Sequence, residues 1–368
     1  MYKRRTFPSV PFCFGAQNPD NVLEQVLISE FDYDLPGELI AQEPLAKRDA
    51  SRMLAVDRVA GSFQDKIFLD LPRHLKRDDV IVINNTKVFP ARLFGNTETG
   101  ANVEIFLIRE IDDYVWECLA RPARRIKIGR KINFGDLLTA EAIEKSHDGK
   151  VFVRFGTAGD LNQILDKIGR TPLPPYIKRG QGGIDTDRER YQTVFAKHRG
   201  AIAAPTAGLH FTPEIIEKIE SKGVTVAEIT LHVGFGTFEP VRVNDLAKHI
   251  VSPESYEIDT ETAEILNRTR SGSGRIIAVG TTTTRALETS IAKCGRFVAG
   301  SFTTDLTITP GYKFKAIDAL LTNFHLPRSS LLVLTSVFGG YELIMNAYCH
   351  AVAAQYRFYS YGDCMFIS

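Results

Sequence analysis

Apolar and polar positions divide the chain into two regions with different periodicity. Residues 80–83 form an apolar run that predicts a buried strand, and residues 84–86 follow it as a polar turn. From there to about residue 155 we predict short strands, with Gly and Asp-Gly turns between them, at residues 103–108, 114–119, 125–128 and 151–155. Several strands within roughly 75 residues predict a small β-barrel or sandwich inserted in the chain.

Strands and helices alternate in the remainder of the chain. Thr212 is placed to cap a helix that has Pro213 at its first position and Gly223 beyond its end. Further strands are predicted at residues 224–231, 276–279 and 331–334, and further helices at residues 261–270, 285–292 and 341–354. This alternation is typical of an α/β layer or barrel-like domain.

The two patterns together predict the domain organisation. We expect a large α/β barrel-like domain made of residues 31–75 and 155–368, interrupted by a small β-barrel domain at residues 76–154. Residues 1–30 contain Lys3, Arg4 and Arg5, but prolines and polar residues interrupt any apolar stretch after them, so they do not form a secretory signal. We interpret this segment as a flexible extension or the result of a misassigned start.

Composition excludes several classes of protein. The 45 Lys and Arg residues against 44 Asp and Glu give a net charge of +1, which argues against a wholly basic nucleic-acid-binding protein. No apolar run approaches the roughly 18 residues of a membrane-spanning helix. The five cysteines are Cys13, Cys118, Cys294, Cys349 and Cys364. Because no two of them form a CxxC motif or a zinc-finger spacing, we expect reduced thiols in a cytoplasmic protein without a metal site.

Charge is unevenly distributed within the small domain. Residues 121–131 hold six cations and no anion, and the six are Arg121, Arg124, Arg125, Lys127, Arg130 and Lys131. Just upstream, residues 104–117 hold five acids and one arginine. The cationic stretch is either an exposed strand face or a contact for a phosphate backbone, and spacing alone leaves both open.

Candidate chemistry lies in polar, Gly-rich segments that follow apolar strands, where α/β sheets bind ligands. Signatures for a phosphate loop, a zinc helix and a dinucleotide fold are absent from the sequence. His210, His232 and His325 each lie in such a segment, and each is either a structural residue or a group that exchanges protons near neutral pH. Residues 281–284 are four threonines before a predicted helix, which favours either a simple N-cap or an anion site.

These segments together resemble one family. They are residues 31–44 (FDYDLPGELIAQEP), 48–53 (RDASRM), 84–93 (NNTKVFPARL), 204–211 (APTAGLHF), 231–239 (LHVGFGTFE), 323–331 (NFHLPRSSL) and 356–363 (YRFYSYGD). In this order they resemble the S-adenosylmethionine:tRNA ribosyltransferase-isomerase family of queuosine biosynthesis. Two features depart from the family pattern: the first 30 residues are long, and Cys349 stands where we expect a basic residue that in the family would contact tRNA.

The resemblance implies a large α/β domain with an inserted small β-barrel, and it implies the reaction. The ribosyl part of S-adenosylmethionine would move to a 7-aminomethyl-7-deazaguanine base at the wobble position of tRNA and be isomerised, giving epoxyqueuosine-tRNA, adenine and methionine. S-adenosylmethionine is then a consumed substrate, and no separate cofactor is expected. The partners would be S-adenosylmethionine and tRNA, with no membrane, and we expect a monomer.

The resemblance also suggests site residues. A base must remove a C5′ proton made acidic by the sulfonium, and a proton donor favours the departure of adenine, so His210, His232 and His325 are the catalytic candidates. Expected substrate-binding residues are Glu38, Gln42, Arg52, Asn84, Thr86, Arg92, Thr206, Gly208, Gly234, Gly236, Thr237, Thr281, Thr282, Thr283, Arg285, Asn323, Ser329 and Asp363. Expected tRNA contacts are the six cations of residues 121–131 together with Lys178 and Arg179.

Two other functions stay open at this point. An S-adenosylmethionine-dependent RNA methyltransferase would need a Gly-rich loop after its first strand, and none is in a convincing position. A non-catalytic RNA-binding module would use the small domain and leave the His- and Thr-rich segments unexplained. Methylated product would indicate the former, and RNA binding without turnover would indicate the latter.

Overall fold

The computed structural model describes residues 26–179, 186–238 and 241–368. Its strands, in chain order β1 to β17, are Arg52–Asp57, Ser62–Ile67, Val80–Asn84, Thr86–Val88, Arg92–Thr97, Asn102–Asp112, Val115–Arg121, Lys131–Asn133, Thr139–Lys145, Val151–Gly156, His198–Ala201, Thr225–Leu231, Glu254–Ile258, Ile276–Val279, Gly300–Thr304, Ala319–Asn323 and Cys364–Ile367. Its α-helices, α1 to α8, are Leu71–His74, Leu161–Ile168, Asp187–Arg190, Pro213–Ser221, Thr260–Ser271, Thr281–Cys294, Ser330–Gly339 and Tyr341–Ala353. Short 3-10 helices lie at Ile28–Glu30, Gly37–Leu39, Arg48–Ala50, Phe68–Asp70, Ala123–Arg125, Thr206–His210, Phe235–Phe238 and Leu246–Lys248.

The larger part of the chain is built on a nine-stranded mixed sheet in the order β15-β13-β12-β3-β14-β16-β17-β1-β2. Its centre, β12-β3-β14-β16, is parallel. Strand β3 is buried along its whole length, and its side chains alternate between two hydrophobic clusters. Val80 and Val82 pack with helices α5 to α8, whereas Ile81 and Ile83 pack with α4 and the 3-10 helix Thr206–His210. Helices on both faces explain why these strands are continuous apolar runs.

The smaller part is a closed barrel of six antiparallel strands in the order β10-β7-β6-β5-β8-β9. All six lie between Arg92 and Gly156, and inward side chains such as Trp116 and Ile132 form a separate core. The predicted combination of an α/β domain with a small β-barrel is confirmed. The predicted start of the insertion at residue 76 is too early, because β3 pairs with β12 and β14 of the large sheet.

Several predicted elements differ from the structure. Residues 331–334 were predicted as a strand, but they lie in helix α7, whose N-terminus is capped by the Ser329 hydroxyl accepting from the N–H of Leu332 at 3.2 Å. An apolar run buried on all sides has no periodicity that distinguishes a strand from a helix. Residues 125–128 are not a strand, since a 3-10 helix and a turn occupy the region after Pro122. The polar turn at 84–86 is likewise wrong, because the short strand β4 begins at Thr86.

The described part of the predicted N-terminal extension packs against the large domain. Ile28 is buried, and its N–H donates to the carbonyl of Asn244 at 2.9 Å. The remainder of that prediction, residues 1–25 with Cys13, lies outside the described residues. The other four cysteines are free thiols.

Helices α7 and α8 carry the most apolar helical sequence in the large domain. Within the described residues, no single helix has the length and hydropathy needed to cross a membrane. Helices α7 and α8 reach those values only as a pair, and the pair is bent by 118°.

Candidate active site

The main cavity lies where the central parallel strands end. Gly280 follows β14, Asn323 ends β16, and Val233 follows β12, so three strands of the parallel centre present their carboxyl ends to one space. Open α/β sheets bind ligands at this edge. The cavity encloses about 570 Å³, part of it open to solvent. Its described lining contains no Asp, Glu, Lys or Arg.

Five of the predicted site residues line this cavity. They are Thr206, Thr281, Thr282, Asn323 and His325. The sequence reasoning missed a second group of lining residues, the hydroxyl-bearing Tyr176, Tyr191, Tyr359 and Ser360. The run at residues 356–363 contained a signal for two of them, but only Asp363 was taken from it. The walls are thus polar, aromatic and free of carboxylates and cations among the residues that the structure describes.

The threonine run divides between the cavity and the helix. Gly280 has φ +91°, a backbone conformation that favours glycine, and helix α6 starts directly after it at Thr281. Thr281 and Thr282 face the cavity, but the Thr283 hydroxyl donates to the carbonyl of Val279 at 2.8 Å. The Thr283 hydroxyl is therefore bonded within the helix, and Thr283, predicted as a binding residue, does not line the cavity.

Arg285 does not reach the cavity either. Its guanidinium is buried and donates to Glu254 at 2.6 Å and to the carbonyl of Leu306 at 2.9 Å. The other oxygen of Glu254 accepts from the N–H of Gly234 at 3.0 Å. Arg285 therefore fixes the loop after β12 to helix α6, and this predicted binding residue is ion-paired with Glu254 away from the cavity lining.

His325 is the histidine that lines the main cavity. One ring nitrogen, Nε2, lies 2.9 Å from the Thr322 hydroxyl, and the residue's backbone N–H donates to the hydroxyl of Tyr348 at 3.0 Å. Nδ1 has no hydrogen-bond partner among the described residues. Burial lowers the pKa of His325 to about 3, because desolvation penalises the charged form. The imidazole is therefore neutral at pH 7, with one nitrogen available to a ligand.

His210 lines a second cavity of about 300 Å³ that adjoins the first, and Ser360 belongs to both walls. The amide of Asn323 donates to the carbonyl of Tyr359 at 2.9 Å, so its oxygen faces His210 Nε2 at 3.3 Å. Nε2 therefore carries the proton, and Nδ1 accepts from the Ser51 hydroxyl at 2.7 Å. Burial lowers the pKa of His210 to about 4. Both ring nitrogens are occupied by the protein.

His232 lines neither cavity. Its Nδ1 lies 2.8 Å from the Thr86 hydroxyl, and its half-buried ring packs on Gly200, where a Cβ would come within 2.6 Å of the ring. Burial lowers the pKa of His232. The structure thus brings His210 and His325 to the cavities. His232 lies at the junction of β4 and β12 instead.

Residues near the N- and C-terminal segments have structural partners instead of facing the cavity. The carboxylate of Asp363 accepts from the backbone N–H of Arg52 at 2.9 Å and of Arg357 at 2.8 Å. The Arg52 guanidinium donates to the carbonyl of Ala354 at 2.7 Å. These groups join the start of β1 to the segment before β17 and to the end of α8, and neither Arg52 nor Asp363, both predicted as substrate contacts, lines either cavity.

Gln42 and Glu38 occupy the outer surface of the same segment. Gln42 accepts from the N–H of Lys178 at 2.8 Å and donates to the carbonyl of Tyr176 at 3.0 Å, which holds the chain segment that carries Tyr176 into the cavity. Glu38 is exposed and lines neither cavity. Neither residue is positioned to contact a ligand in the main cavity.

Asn84, Arg92 and Ser329 also form hydrogen bonds within the protein. Asn84 accepts from the N–H of Leu231 and donates to its carbonyl, both at 3.0 Å, which bridges β3 and β12. Arg92 donates to the carbonyl of Leu173 at 3.3 Å, and Ser329 caps α7. All three were predicted as binding residues, and none of them lines either cavity.

Two of the three predicted glycines, Gly208 and Gly236, are sites of close packing. A Cβ on Gly208 would lie 2.7 Å from the Phe195 ring, and one on Gly236 would lie 2.7 Å from Ser252. Gly234 has open space around it and donates to Glu254. The side chain of Thr237 lies outside the described structure.

The predicted RNA contacts are mostly exposed. All six cations of residues 121–131 lie on the surface of the barrel, although Arg130 pairs with Glu98 at 3.2 Å. Lys178 is exposed as well. Arg179 is different, because Asp187 accepts two hydrogen bonds from it, at 2.8 and 3.0 Å, and its charge is compensated. The described residues contain no group of three or more His, Cys, Asp or Glu side chains arranged to hold a metal ion.

Comparisons of sequence and of structure match most of this chain to known proteins. Residues 28–367 match the model of the family described as queuosine biosynthesis protein. Similar curated proteins are the S-adenosylmethionine:tRNA ribosyltransferase-isomerases of Staphylococcus saprophyticus, 51% identical over 92% of this chain and 99% of the relative, and of Trichlorobacter lovleyi, 46% identical over 93% and 100%. The crystal structure of S-adenosylmethionine tRNA ribosyltransferase from Thermotoga maritima is 38% identical and covers 92% of this chain and 100% of its own, with a TM-score of 0.53.

Proposed function

Because the chain belongs to the queuosine biosynthesis protein family, we propose that it is an S-adenosylmethionine:tRNA ribosyltransferase-isomerase. It transfers the ribosyl moiety of S-adenosylmethionine to the 7-aminomethyl-7-deazaguanine base at the tRNA wobble position and isomerises it. The products are epoxyqueuosine-tRNA, adenine and methionine. The observation that carries this function is the uncharged cavity at the carboxyl ends of β12, β14 and β16.

The cavity suits a sulfonium substrate. Three tyrosine rings, of Tyr176, Tyr191 and Tyr359, contribute to its walls, and aromatic faces attract a cation without neutralising it. The polar groups around them, from Thr206, Thr281 and Thr282, offer neutral hydrogen bonds. Because the described lining holds no Asp, Glu, Lys or Arg, no charged side chain in it offsets the effect of the sulfonium on its own C5′ protons.

His325 is the residue that we assign as the base. It lines the cavity, it is neutral because burial lowers its pKa to about 3, and its Nδ1 has no partner among the described residues. With Nε2–H donating to the Thr322 hydroxyl, the bare Nδ1 takes the C5′ proton, and the electron pair of the C5′–H bond stays on carbon as the sulfonium ylide. The imidazolium then gives this proton to the departing adenine, which leaves as a neutral base rather than an anion. Thr322 fixes the ring through Nε2.

His210 acts through Asn323 in this account. Its Nε2–H donates to the Asn323 oxygen, and the Asn323 amide nitrogen donates to the Tyr359 carbonyl. This chain of hydrogen bonds fixes two residues of the cavity wall. With both its nitrogens engaged, His210 is a positioning residue, and His232, outside both cavities, stabilises the junction of β4 and β12.

The remaining parts of the proposal concern partners and location. We assign the exposed cations of residues 121–131, with Lys178, to contacts with the tRNA phosphate backbone, because their side chains are accessible. S-adenosylmethionine is consumed, so the reaction requires no further cofactor. The protein functions as a monomer in the cytoplasm, where its tRNA substrate is found.

One assay separates this function from the alternatives. The protein is incubated with S-adenosylmethionine and tRNA bearing the aminomethyl-deazaguanine, and adenine, methionine and S-adenosylhomocysteine are quantified. Equal amounts of adenine and methionine support the proposal. S-adenosylhomocysteine would indicate a methyltransferase, and RNA binding without any of the three would indicate a binding module.

The same assay tests His325. We expect H325Q to lower kcat by about 10²- to 10⁴-fold, the range for removal of a general base. H147Q is the matched control, because His147 is exposed on the barrel, and it should retain wild-type turnover. Wild-type kcat in a folded H325Q variant contradicts the assignment.

A further inference from the structure

The second cavity contains an unusual concentration of arginine. Arg48 and Arg190 line it together with Ser51 and His210. Arg357 lies close enough that its charge, like that of Arg48, lowers the pKa of His210. None of these three arginines belongs to the uncharged main cavity described above.

The three guanidiniums bind backbone carbonyls. Arg48 donates to the carbonyls of Leu209 at 3.2 Å and Glu189 at 3.1 Å. Arg190 donates to those of Ala46 at 3.1 Å and Leu45 at 2.5 Å. Arg357 donates to the carbonyl of Glu43. These bonds hold the segment around residues 43–46, and all of their acceptors are neutral carbonyl oxygens.

Carboxylates influence this cluster only at longer range, where Glu189 favours the charged form of Arg48, and Asp363 and Glu43 favour that of Arg357. Within the described residues, no Asp or Glu oxygen lies within 4.0 Å of the guanidinium nitrogens of Arg48, Arg190 or Arg357. The neighbouring Asp363 already accepts two backbone N–H groups. Burial lowers the pKa of Arg48, and the charge of Arg190 lowers it further.

Two donors of the cluster have no partner. Arg190 Nε and Arg357 Nη1 are buried and make no hydrogen bond with the described residues. A purely structural role explains the carbonyl contacts, but it explains neither these two donors nor three cations placed side by side. Guanidiniums with spare donors are the protein groups that best match an oxyanion.

We propose that Arg48, Arg190 and Arg357 form an oxyanion site that holds an anionic group of a substrate next to the main cavity. This inference rests on the proposed function, whose two substrates each carry such a group. One is a phosphodiester of the tRNA near the modified nucleotide, and the other is the carboxylate of S-adenosylmethionine. Both are bound by the same charge-assisted, forked hydrogen bonds.

Equilibrium binding distinguishes the two sources. The variants are R190Q and, as a matched control, R188Q on the same helix α3, since Arg188 is exposed and pairs with Asp166 at 3.5 Å. Kd is measured separately for S-adenosylmethionine and for an anticodon stem-loop RNA, the latter from 50 to 300 mM KCl. Loss of a charge-assisted bond should weaken one ligand by about tenfold or more.

Each result decides the matter. Weaker RNA binding by R190Q, with a salt slope about one unit smaller, supports a phosphodiester site. Weaker S-adenosylmethionine binding with unchanged RNA binding supports a carboxylate site. Kd values within twofold of those of R188Q for both ligands overturn the proposal.

Folding and function are controlled separately. R190Q loses two carbonyl contacts, so R48Q, at the other arginine that lines this cavity, provides a second test, and circular dichroism confirms that each variant is folded. Adenine release by the wild-type protein reports on the proposed function alone. If the wild type releases no adenine while R190Q and R48Q still bind one ligand more weakly, the oxyanion site stands and the proposed function fails.

Discussion

Acidification should destabilise this protein through two buried histidines. Burial lowers the pKa of His210 to about 4 and that of His325 to about 3, whereas an unfolded histidine titrates near 6.5. Below pH 6.5 the unfolded chain therefore binds two protons that the native protein does not. The stability contributed by the neutral side chains is fully present above pH 6.5 and is lost as the pH falls from 6.5 toward 4 and 3.

The size of the effect follows from linkage. Each group that binds a proton only in the unfolded state lowers the free energy of unfolding by about 1.4 kcal/mol per pH unit. Between pH 7 and pH 5, titration of one unfolded histidine costs about 2 kcal/mol, because the effect begins only near its own pKa. His210 and His325 together should therefore lower the free energy of unfolding by about 4 kcal/mol over this interval.

Urea unfolding at pH 7, 6 and 5 measures this dependence. H325Q removes one of the two titrations, so its loss of stability between pH 7 and 5 should be about 2 kcal/mol smaller than that of the wild type. The quantity compared is the change in the free energy of unfolding between pH 7 and pH 5. A destabilisation of the variant that is the same at every pH does not alter this change. H147Q, altered at an exposed position, should follow the wild type. Identical pH dependence in H325Q and wild type would refute the reasoning.

Two further predictions concern packing and the buried ion pair. R285Q removes the 2.6 Å charge-assisted bond to the buried carboxylate of Glu254, which keeps its bond from the N–H of Gly234, and should lower the free energy of unfolding by about 1–3 kcal/mol in urea titrations; unchanged stability would contradict the contribution of this pair. G208A places a Cβ 2.7 Å from the Phe195 ring and should cost about 1–3 kcal/mol, whereas G37A meets no atom within 4 Å. Equal stability of the two alanine variants would be inconsistent with this packing.

Local patterns predicted the elements whose boundaries are encoded in neighbouring residues. Helix α4 begins after Thr212, whose hydroxyl accepts from the N–H of Ile215 at 3.4 Å, and Pro213 occupies its first position. The buried strand β3 was also predicted from local sequence, because its apolar residues are continuous. Helix α7 was not, since its apolar residues are buried between α6 and α8 and have no polar face to mark the helical period.

In the candidate site, local sequence patterns likewise did not predict contacts between residues that are far apart in the chain. Thr281 and Asn323 were predicted correctly as cavity residues, because polar residues at the ends of parallel strands meet at one edge of the sheet. Arg285 was predicted to bind a substrate, but in the structure it pairs with Glu254. The two residues are 31 positions apart in sequence, so no local pattern predicts the pair. Tyr176 reaches the cavity through a segment fixed by Gln42, a contact across 134 residues.

The sequence motifs and the tertiary structure provide different information about the site. Motif order identified the family and its reaction, whereas the three histidines looked equivalent in the sequence. Only the structure separates His325, with a free nitrogen at the cavity, from His210, held by Ser51 and Asn323, and from His232, held by Thr86. The division of roles therefore depends on tertiary hydrogen bonds.

The central claim is that this cavity cleaves S-adenosylmethionine into ribosyl, adenine and methionine parts in the presence of the modified tRNA. The direct measurement is the release of adenine and methionine from S-adenosylmethionine by the purified full-length protein, with and without tRNA bearing 7-aminomethyl-7-deazaguanine. We predict equimolar release that requires this tRNA and is lost in H325Q. Release of S-adenosylhomocysteine with methylated tRNA, or no turnover by the folded wild type, would contradict the account.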